Sequence, residues 1–427
     1  MKRIAIVNAR LVDPVSGLEA IDHLYLADGQ IVGRTAPPPG FQADETIDGK
    51  GLICCPGLVD LSARLGEPGG EQKRRLQSEL AAAVAGGITA LCCPPDTDPN
   101  LDEPGLVQML KSRADALKLA QVYPIGALTR GLTGQELTEM AELRDAGCVA
   151  FSQADAPLTD HRVLFRAMQY AATFDLPLRL RPQDATLAAG GVAHDGEVAT
   201  RLGLPGIPTI AETISISTLI ILMKETGARV HLERLSSREG VEMVYAAKRF
   251  GLPITCDVSI NHVHLADIDI GYFDTSARLN PPLRSTSDRE AIQQGLVDGT
   301  IDAICSDHCP IEDDDKLLPF GEARPGATGL ELLLPLTLAW GAHKRLPLAA
   351  ALAPITAHPA RLLGLPTGAL NVGRPADLCL FDAEAVWRAN PEELLSQGKY
   401  TPFAGMELHG KVRYTLVGGT VAYRAPR

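Results

Sequence analysis

From about residue 56 onward, short runs of apolar, β-prone residues alternate with longer segments whose apolar positions recur every three or four residues. The short runs read as strands: GLVDLS (57–62), ITALCC (88–93), QVYPIGAL (121–128), CVAFS (148–152), LPLRLR (176–181), ARVHLERL (228–235), LPITCDVS (252–259) and DAICSD (302–307). The longer segments predict helices at 71–85, 103–118, 134–145, 160–174, 212–226, 237–250 and 286–298, then 328–342 after the last strand. Strict alternation of this kind marks an α/β protein with a parallel sheet, and eight such units close into a (β/α)8 TIM barrel of roughly 250 residues or more. An open doubly wound sheet is the alternative.

The two ends of the chain are patterned differently. Residues 1–55 carry RIAIVNARLV and HLYLADGQIVG, broken by turn signals and by Pro37-Pro38-Pro39. The C-terminal stretch carries ADLCLFD and KVRYTLVGGTVAYR. Neither piece is long enough to bury a comfortable core alone. The expected organisation is therefore a barrel domain at 56–364 and one small β-sandwich assembled from 1–55 and 365–427.

Composition narrows the classes of partner. Of the 427 residues, 45% are hydrophobic and 22% charged, which suits a globular chain with a sizeable core. A net charge of −12 argues against nucleic acid or an anionic membrane surface as the main partner. The longest basic run is Lys73-Arg74-Arg75, which reads as a solvated helix face. The nine cysteines include no C-x-x-C pair and sit mostly in apolar runs, the usage of buried reduced thiols in a cytoplasmic protein. The N-terminus alternates like a strand and lacks a signal-peptide apolar core, and no run approaches a membrane span.

In a (β/α)8 barrel, chemistry gathers at the carboxyl ends of the strands. Those ends read Asp60-Leu61-Ser62-Ala63-Arg64, Phe151-Ser152-Gln153, Arg179-Leu180-Arg181, His231-Leu232-Glu233-Arg234 and Ser306-Asp307-His308. Ser62 and Arg64, two residues apart, face the same side of their strand. Histidines in that spacing would be half of a metal site.

The order of motifs resembles the bacterial dihydroorotases of the amidohydrolase superfamily. The matching pieces are PGLVD…LGEPG (56–69), GGITALCCPPDTDP (86–99), FSQAD (151–155), Asp184 through LGLPGIPTIAET (202–213), LNPPLR (279–284), GTIDAICSDHCP (299–310), GATGLELLLPL (326–336), HPARLLGL (358–365) and GRPADLCLFD (373–382). The resemblance spans nearly the whole chain. It implies that zinc ligands belong at Ser62, Arg64, Gln153, Arg181 and Arg234, and that only the strand-eight acid, Asp307, is kept. Substrate positions implied in the same way are Gly66, Asp96 and Ile311, all changed, and Asn280, which is retained.

Zinc takes imidazole, thiolate or carboxylate ligands, whereas guanidinium stays protonated and only donates. A unit positive charge about 4 Å from a divalent ion is repelled by roughly 8 kcal/mol at an effective dielectric of about 20. No zinc is expected here, and without it Asp307 has no metal-bound water to act on. We expect Arg64, Arg181 and Arg234 to fill part of the vacated volume, with at least one pairing with Asp307. His231, His262, His264 and His308 read as satisfied polar side chains. Cys305, His308 and Cys309 make a weak candidate for a soft metal site, with no fourth ligand in view. The loop FGEARPGATGLE (320–331) resembles the family's substrate loop, and a helix entry capped by Thr328 explains it equally well.

The resemblance thus implies a pseudo-dihydroorotase of pyrimidine biosynthesis, a non-catalytic structural partner of aspartate carbamoyltransferase. A homo-oligomer, most simply a dimer, is expected. Two other readings stay open: an active cyclic amidohydrolase closing carbamoyl aspartate to dihydroorotate with an unusual metal site, and an anion sensor built on the arginines.

Overall fold

The computed structural model describes residues 2–71 and 75–426. Eight parallel strands, Leu58–Asp60, Ile88–Cys93, Gln121–Ala127, Ala150–Ser152, Leu178–Leu180, Val230–Leu232, Ile254–Ser259 and Ala303–Cys305, pair in chain order and are numbered barrel strands one to eight. The remaining seam closes through a bridge between Ala63 and His308. There Arg64 N donates to His308 O (2.9 Å), and His308 N donates to Ser62 O (3.2 Å). Every residue of strands one, two, four, five, six and eight is buried. Burial on both faces is why these strands read as continuous rather than alternating apolar runs.

The eight outer helices are Leu76–Ala85, Pro104–Leu117, Met140–Ala146, His161–Thr173, Ile210–Thr226, Arg238–Arg249, Thr286–Val297 and Leu333–His343. Asp160, Ser237 and Ser285 cap three of them by accepting backbone N–H groups. Three predicted starts shift. The third helix begins at Met140 because Thr138 Oγ1 donates to Ala127 O (2.6 Å), which holds the preceding residues as a loop against strand three. The last begins at Leu333; Thr328 is not its cap but donates through Oγ1 to Gly398 O (2.9 Å). The first begins at Leu76. Gln72, Lys73 and Arg74 lie outside the described residues, so only Arg75 of the basic run is placed, and it is exposed. Between strands five and six the chain adds helices Ala185–Ala188 and Glu197–Leu202 and a two-stranded pair, Ala193–His194 with Gly206–Ile207, too short for periodicity to reveal.

The chain ends meet in one eight-stranded sheet. Ile4–Asp13, Leu18–Ala27, Gln30–Arg34, Glu45–Asp48 and Ile53–Pro56 come from the front, and Leu378–Arg388, Glu407–Val417 and Thr420–Arg424 from the back. Ile53–Pro56 pairs antiparallel with Leu378–Phe381, splicing the two halves together. A separate apolar cluster including Ile6, Leu11, Leu24, Ile31, Leu380 and Leu416 draws on both. All nine cysteines are buried free thiols. Within the doublets neighbours face different cores: Cys54 joins the end-sheet cluster and Cys55 the main barrel cluster. Among the described residues no helix is long and apolar enough to cross a membrane.

Candidate functional site: an ion cluster at the barrel mouth

A cavity of about 440 Å³ opens at the carboxyl ends of the barrel strands, where Arg64, Gly66, Asp96, Asp155, Arg234, Asn280 and Asp307 line it. Its rim is set by glycines: a Cβ on Gly69 (φ +95°) would lie 2.0 Å from Asp98 O, so the loop after strand one closes directly on the loop after strand two.

Three arginines converge on one carboxylate. Arg64 reaches Asp155 Oδ2 at 2.9 Å, Arg181 reaches Asp155 Oδ1 at 2.9 Å, and Arg234 reaches the same oxygen at 2.6 Å. Each also has a second anchor. Arg64 Nε donates to Asp96 Oδ2 (2.8 Å), Arg181 to Asn280 Oδ1 (2.6 Å) and Gln183, and Arg234 to Asp307 Oδ1 (3.3 Å) and Asn280 O (3.1 Å). The cluster therefore ties the ends of strands one, four, five, six and eight to the loops carrying Asp96 and Asn280. Ala154, Arg234 and Asp307 all adopt left-handed backbone (φ 50°, 53° and 50°), and this turns the chain at three strand ends. A cluster of non-glycine residues in that region marks a place where surrounding structure fixes the geometry.

The electrostatics follow from this arrangement. Burial raises the Asp155 pKa, but Arg234, Arg181 and Arg64 outweigh it and hold the carboxyl well below the usual range. At Asp307 burial wins over the partial offset from Arg234 and Arg64, and the pKa is raised. Burial disfavours the charged form of Arg64, yet Asp96 and Asp155 more than compensate. Arg181 is the exception: burial lowers its pKa, and Asp155 offsets this only in part.

The other predicted positions are accounted for individually. Gln153 is fully committed, accepting from Thr129 Oγ1 (3.0 Å) and donating to Leu132 O (2.8 Å). Ser62 is buried beside the barrel seam, where its carbonyl receives His308 N. Ile311 is buried and is not among the cavity-lining residues. His231 bridges Thr255 and Asp257 (both 2.9 Å), His262 meets Pro282 O (3.1 Å), and His264 meets Leu336 O (2.9 Å). His308 lies 2.9 Å from Glu79, which also accepts from Ser396 Oγ (2.6 Å), so it ties the barrel to the C-terminal segment. That engagement removes it from any site with Cys305 and Cys309.

The donor chemistry at the six positions where the family resemblance places metal ligands does not fit zinc. They supply one hydroxyl, one amide already bonded at both ends, three guanidinium groups and a single carboxylate. Among the described residues no group of three or more His, Cys, Asp and Glu side chains is placed to hold a metal ion.

Asp155 is the residue that sequence reasoning missed. In the motif FSQAD the resemblance singles out Gln153, two residues earlier, and the expected partner of the arginines is the strand-eight Asp307. An acid just past a strand end, facing three arginines drawn from other strand ends, was the available signal.

A closed eight-stranded barrel with a strand-end cavity, flanked by a sheet made from both chain ends, is the scaffold of the amidohydrolases. Structural comparison agrees: the L-hydantoinase (dihydropyrimidinase) of Arthrobacter aurescens superimposes with a TM-score of 0.88 at 25% identity, covering 100% of this chain and 97% of that one. The dihydropyrimidinase of Brevibacillus agri shares the fold, with a TM-score of 0.85 at 18% identity over 99% of this chain and 95% of that one. The Dihydro-orotase-like family matches residues 51–240, and the Amidohydrolase family matches residues 218–423. A dihydroorotase-like protein of Pseudomonas aeruginosa is 45% identical over 98% of this chain and 99% of its own length. A dihydroorotase of Syntrophotalea carbinolica is 39% identical over 99% of both. The chain belongs to the dihydroorotase-like family of amidohydrolases.

Proposed function

We propose that this chain is a catalytically inactive dihydroorotase homologue, free of zinc, that serves as a structural partner of aspartate carbamoyltransferase in pyrimidine biosynthesis. The observation that carries this reading is the Asp155 cluster. Where the family resemblance places cations held by neutral or anionic ligands, this chain has one anion held by three cationic side chains. The barrel around it is intact, so the fold is kept while the means of polarising an amide carbonyl is not. The names of two relatives also fit: the proteins of Pseudomonas aeruginosa and Pseudomonas putida, 45% and 44% identical, are called dihydroorotase-like.

A second reading, an active cyclic amidohydrolase, draws support from the relatives called dihydroorotase and from the open cavity of about 440 Å³. The anion-sensor reading is weaker at this mouth, because Arg64, Arg181 and Arg234 are matched by Asp96, Asp155 and Asp307.

The test is reconstitution. Purified chain and aspartate carbamoyltransferase from the same cell should co-elute on size exclusion, the chain alone running as a homo-oligomer. Withholding the chain should lower the partner's activity or stability, while dihydroorotate turnover stays at background with zinc added. Turnover above background, or separate elution of the two proteins at micromolar concentration, contradicts the proposal.

A further inference from the structure

A second group of arginines lies at the opposite end of the barrel. Val149, Pro177, Arg229 and Pro253 immediately precede strands four to seven, and there a second cavity of about 270 Å³ opens through the barrel floor. A (β/α)8 interior is ordinarily filled by layers of bulky side chains. Here strands four and seven place the small Ala150 and Thr255 against the space, which reaches Arg179 and His231, only 3% and 8% exposed. Leu362 and Leu363, at the end of helix Ala357–Leu362, form the other wall.

The lining has one sign of charge. Arg179, Arg229 and Arg361 contribute guanidinium groups, His231 and Thr255 are polar, and no carboxylate side chain lines the cavity. Arg179 is held from above by Leu61 O (2.7 Å) and Asp257 (3.2 Å), and its Nε sits 3.1 Å from Glu233 without the alignment of a hydrogen bond. Arg229 has only a largely exposed pairing with Asp175 and a bond to its carbonyl. The Arg361 side chain is exposed and has no hydrogen-bond or ion-pair partner among the described residues. The remaining walls are apolar: Leu61, Val149, Val230, Ile254, Leu362 and Leu363.

We propose that this floor cavity is a binding site for a small organic carboxylate with an apolar body, its anionic head at Arg361 and Arg229 and its body against Ile254, Leu362 and Leu363. A pocket of this size suits a compact metabolite rather than a cofactor. The site is independent of the mouth and of the proposed function, and it stands or falls separately.

Calorimetric titration with benzoate, benzamide and inorganic phosphate tests it on the full chain. Benzoate binds with millimolar or better affinity, while the neutral isostere and the purely ionic probe do not. Arg361→Ala, a change at an exposed side chain, weakens benzoate about tenfold, the scale of one charge-assisted hydrogen bond. Leu363→Trp fills the space and abolishes binding. Absence of benzoate binding overturns the site, as does equal binding of benzamide or phosphate, or wild-type affinity in Arg361→Ala.

Discussion

If Asp155 is the hub of the mouth, replacing it with asparagine should destabilise the chain while leaving its shape. The amide keeps an oxygen for one guanidinium but removes the charge that three share at 2.6–2.9 Å. Arg64 would retain Asp96 and Arg234 would retain Asp307. Arg181 would keep only the neutral Asn280 and Gln183 with its guanidinium 5% exposed, so it bears most of the loss. Removing one partner of a fully buried ion pair costs about 3–5 kcal/mol; the Asp155 side chain is 30% exposed, so solvent screening holds the loss to about 2–3 kcal/mol. Unfolding entropy of about 2.1 cal/mol/K per residue turns that into a fall in Tm of about 2–3 °C for a chain of this length. Asp155→Asn combined with Arg181→Gln should recover part of it, since the orphaned cation is gone, and that non-additivity is the signature of direct coupling. The pH dependence carries a sign as well. Asp155 is depressed in the folded state, so its contribution is complete above the unfolded value of about 4 and is lost as pH falls toward the folded one. Wild type should therefore lose Tm faster than Asp155→Asn between roughly pH 4 and pH 2. Scanning calorimetry of wild type, both variants and an Asp98→Asn control measures all of this. A shift no larger than the control's, or strict additivity with Arg181→Gln, refutes the hub.

Restoring histidines at Ser62 and Arg64 together should give no dihydroorotate turnover in a zinc-supplemented assay, because Gln153, Arg181 and Arg234 still fill the site; appreciable turnover would show the site to be misassigned. Glu79→Gln should cost about 1.5–3 kcal/mol by chemical denaturation, the scale of a lost hydrogen bond to a charged group, since the fully buried carboxylate accepts from Ser396 and meets His308. Limited proteolysis should then cut the 394–398 segment faster in that variant. Burial pushes Asp60 up to about 6 despite bonds from Ser306. The folded state therefore holds that proton more tightly than the unfolded chain, and stability should fall by about 2–3 kcal/mol between roughly pH 4 and pH 6, then level off. Asp60→Asn should flatten that slope in denaturation curves taken across the same range.

Much of the barrel was legible because its strands are buried on both faces and are separated by turn residues, a local signal. All eight strand positions lie within the predicted runs, from Leu58–Asp60 to Ala303–Cys305. What was not legible was short or long-range. Four- and six-residue helices such as Ala185–Ala188 and Glu197–Leu202 complete too few turns to show a period. Thr328 has the look of a cap, yet its hydroxyl answers a carbonyl 70 residues away. At the mouth, the family resemblance placed arginines where ligands were expected, and the Arg234–Asp307 contact at 3.3 Å fits the expected pairing. The dominance of Asp155 depends on five strand ends meeting in space, and no local pattern encodes that.

On the proposed reading the barrel mouth holds an ion cluster and not a metal. The most direct measurement is zinc stoichiometry by elemental analysis on purified chain, after loading with zinc and desalting. The expected ratio is near zero. One or two tightly held zinc ions per chain would contradict it and move the active-enzyme reading ahead.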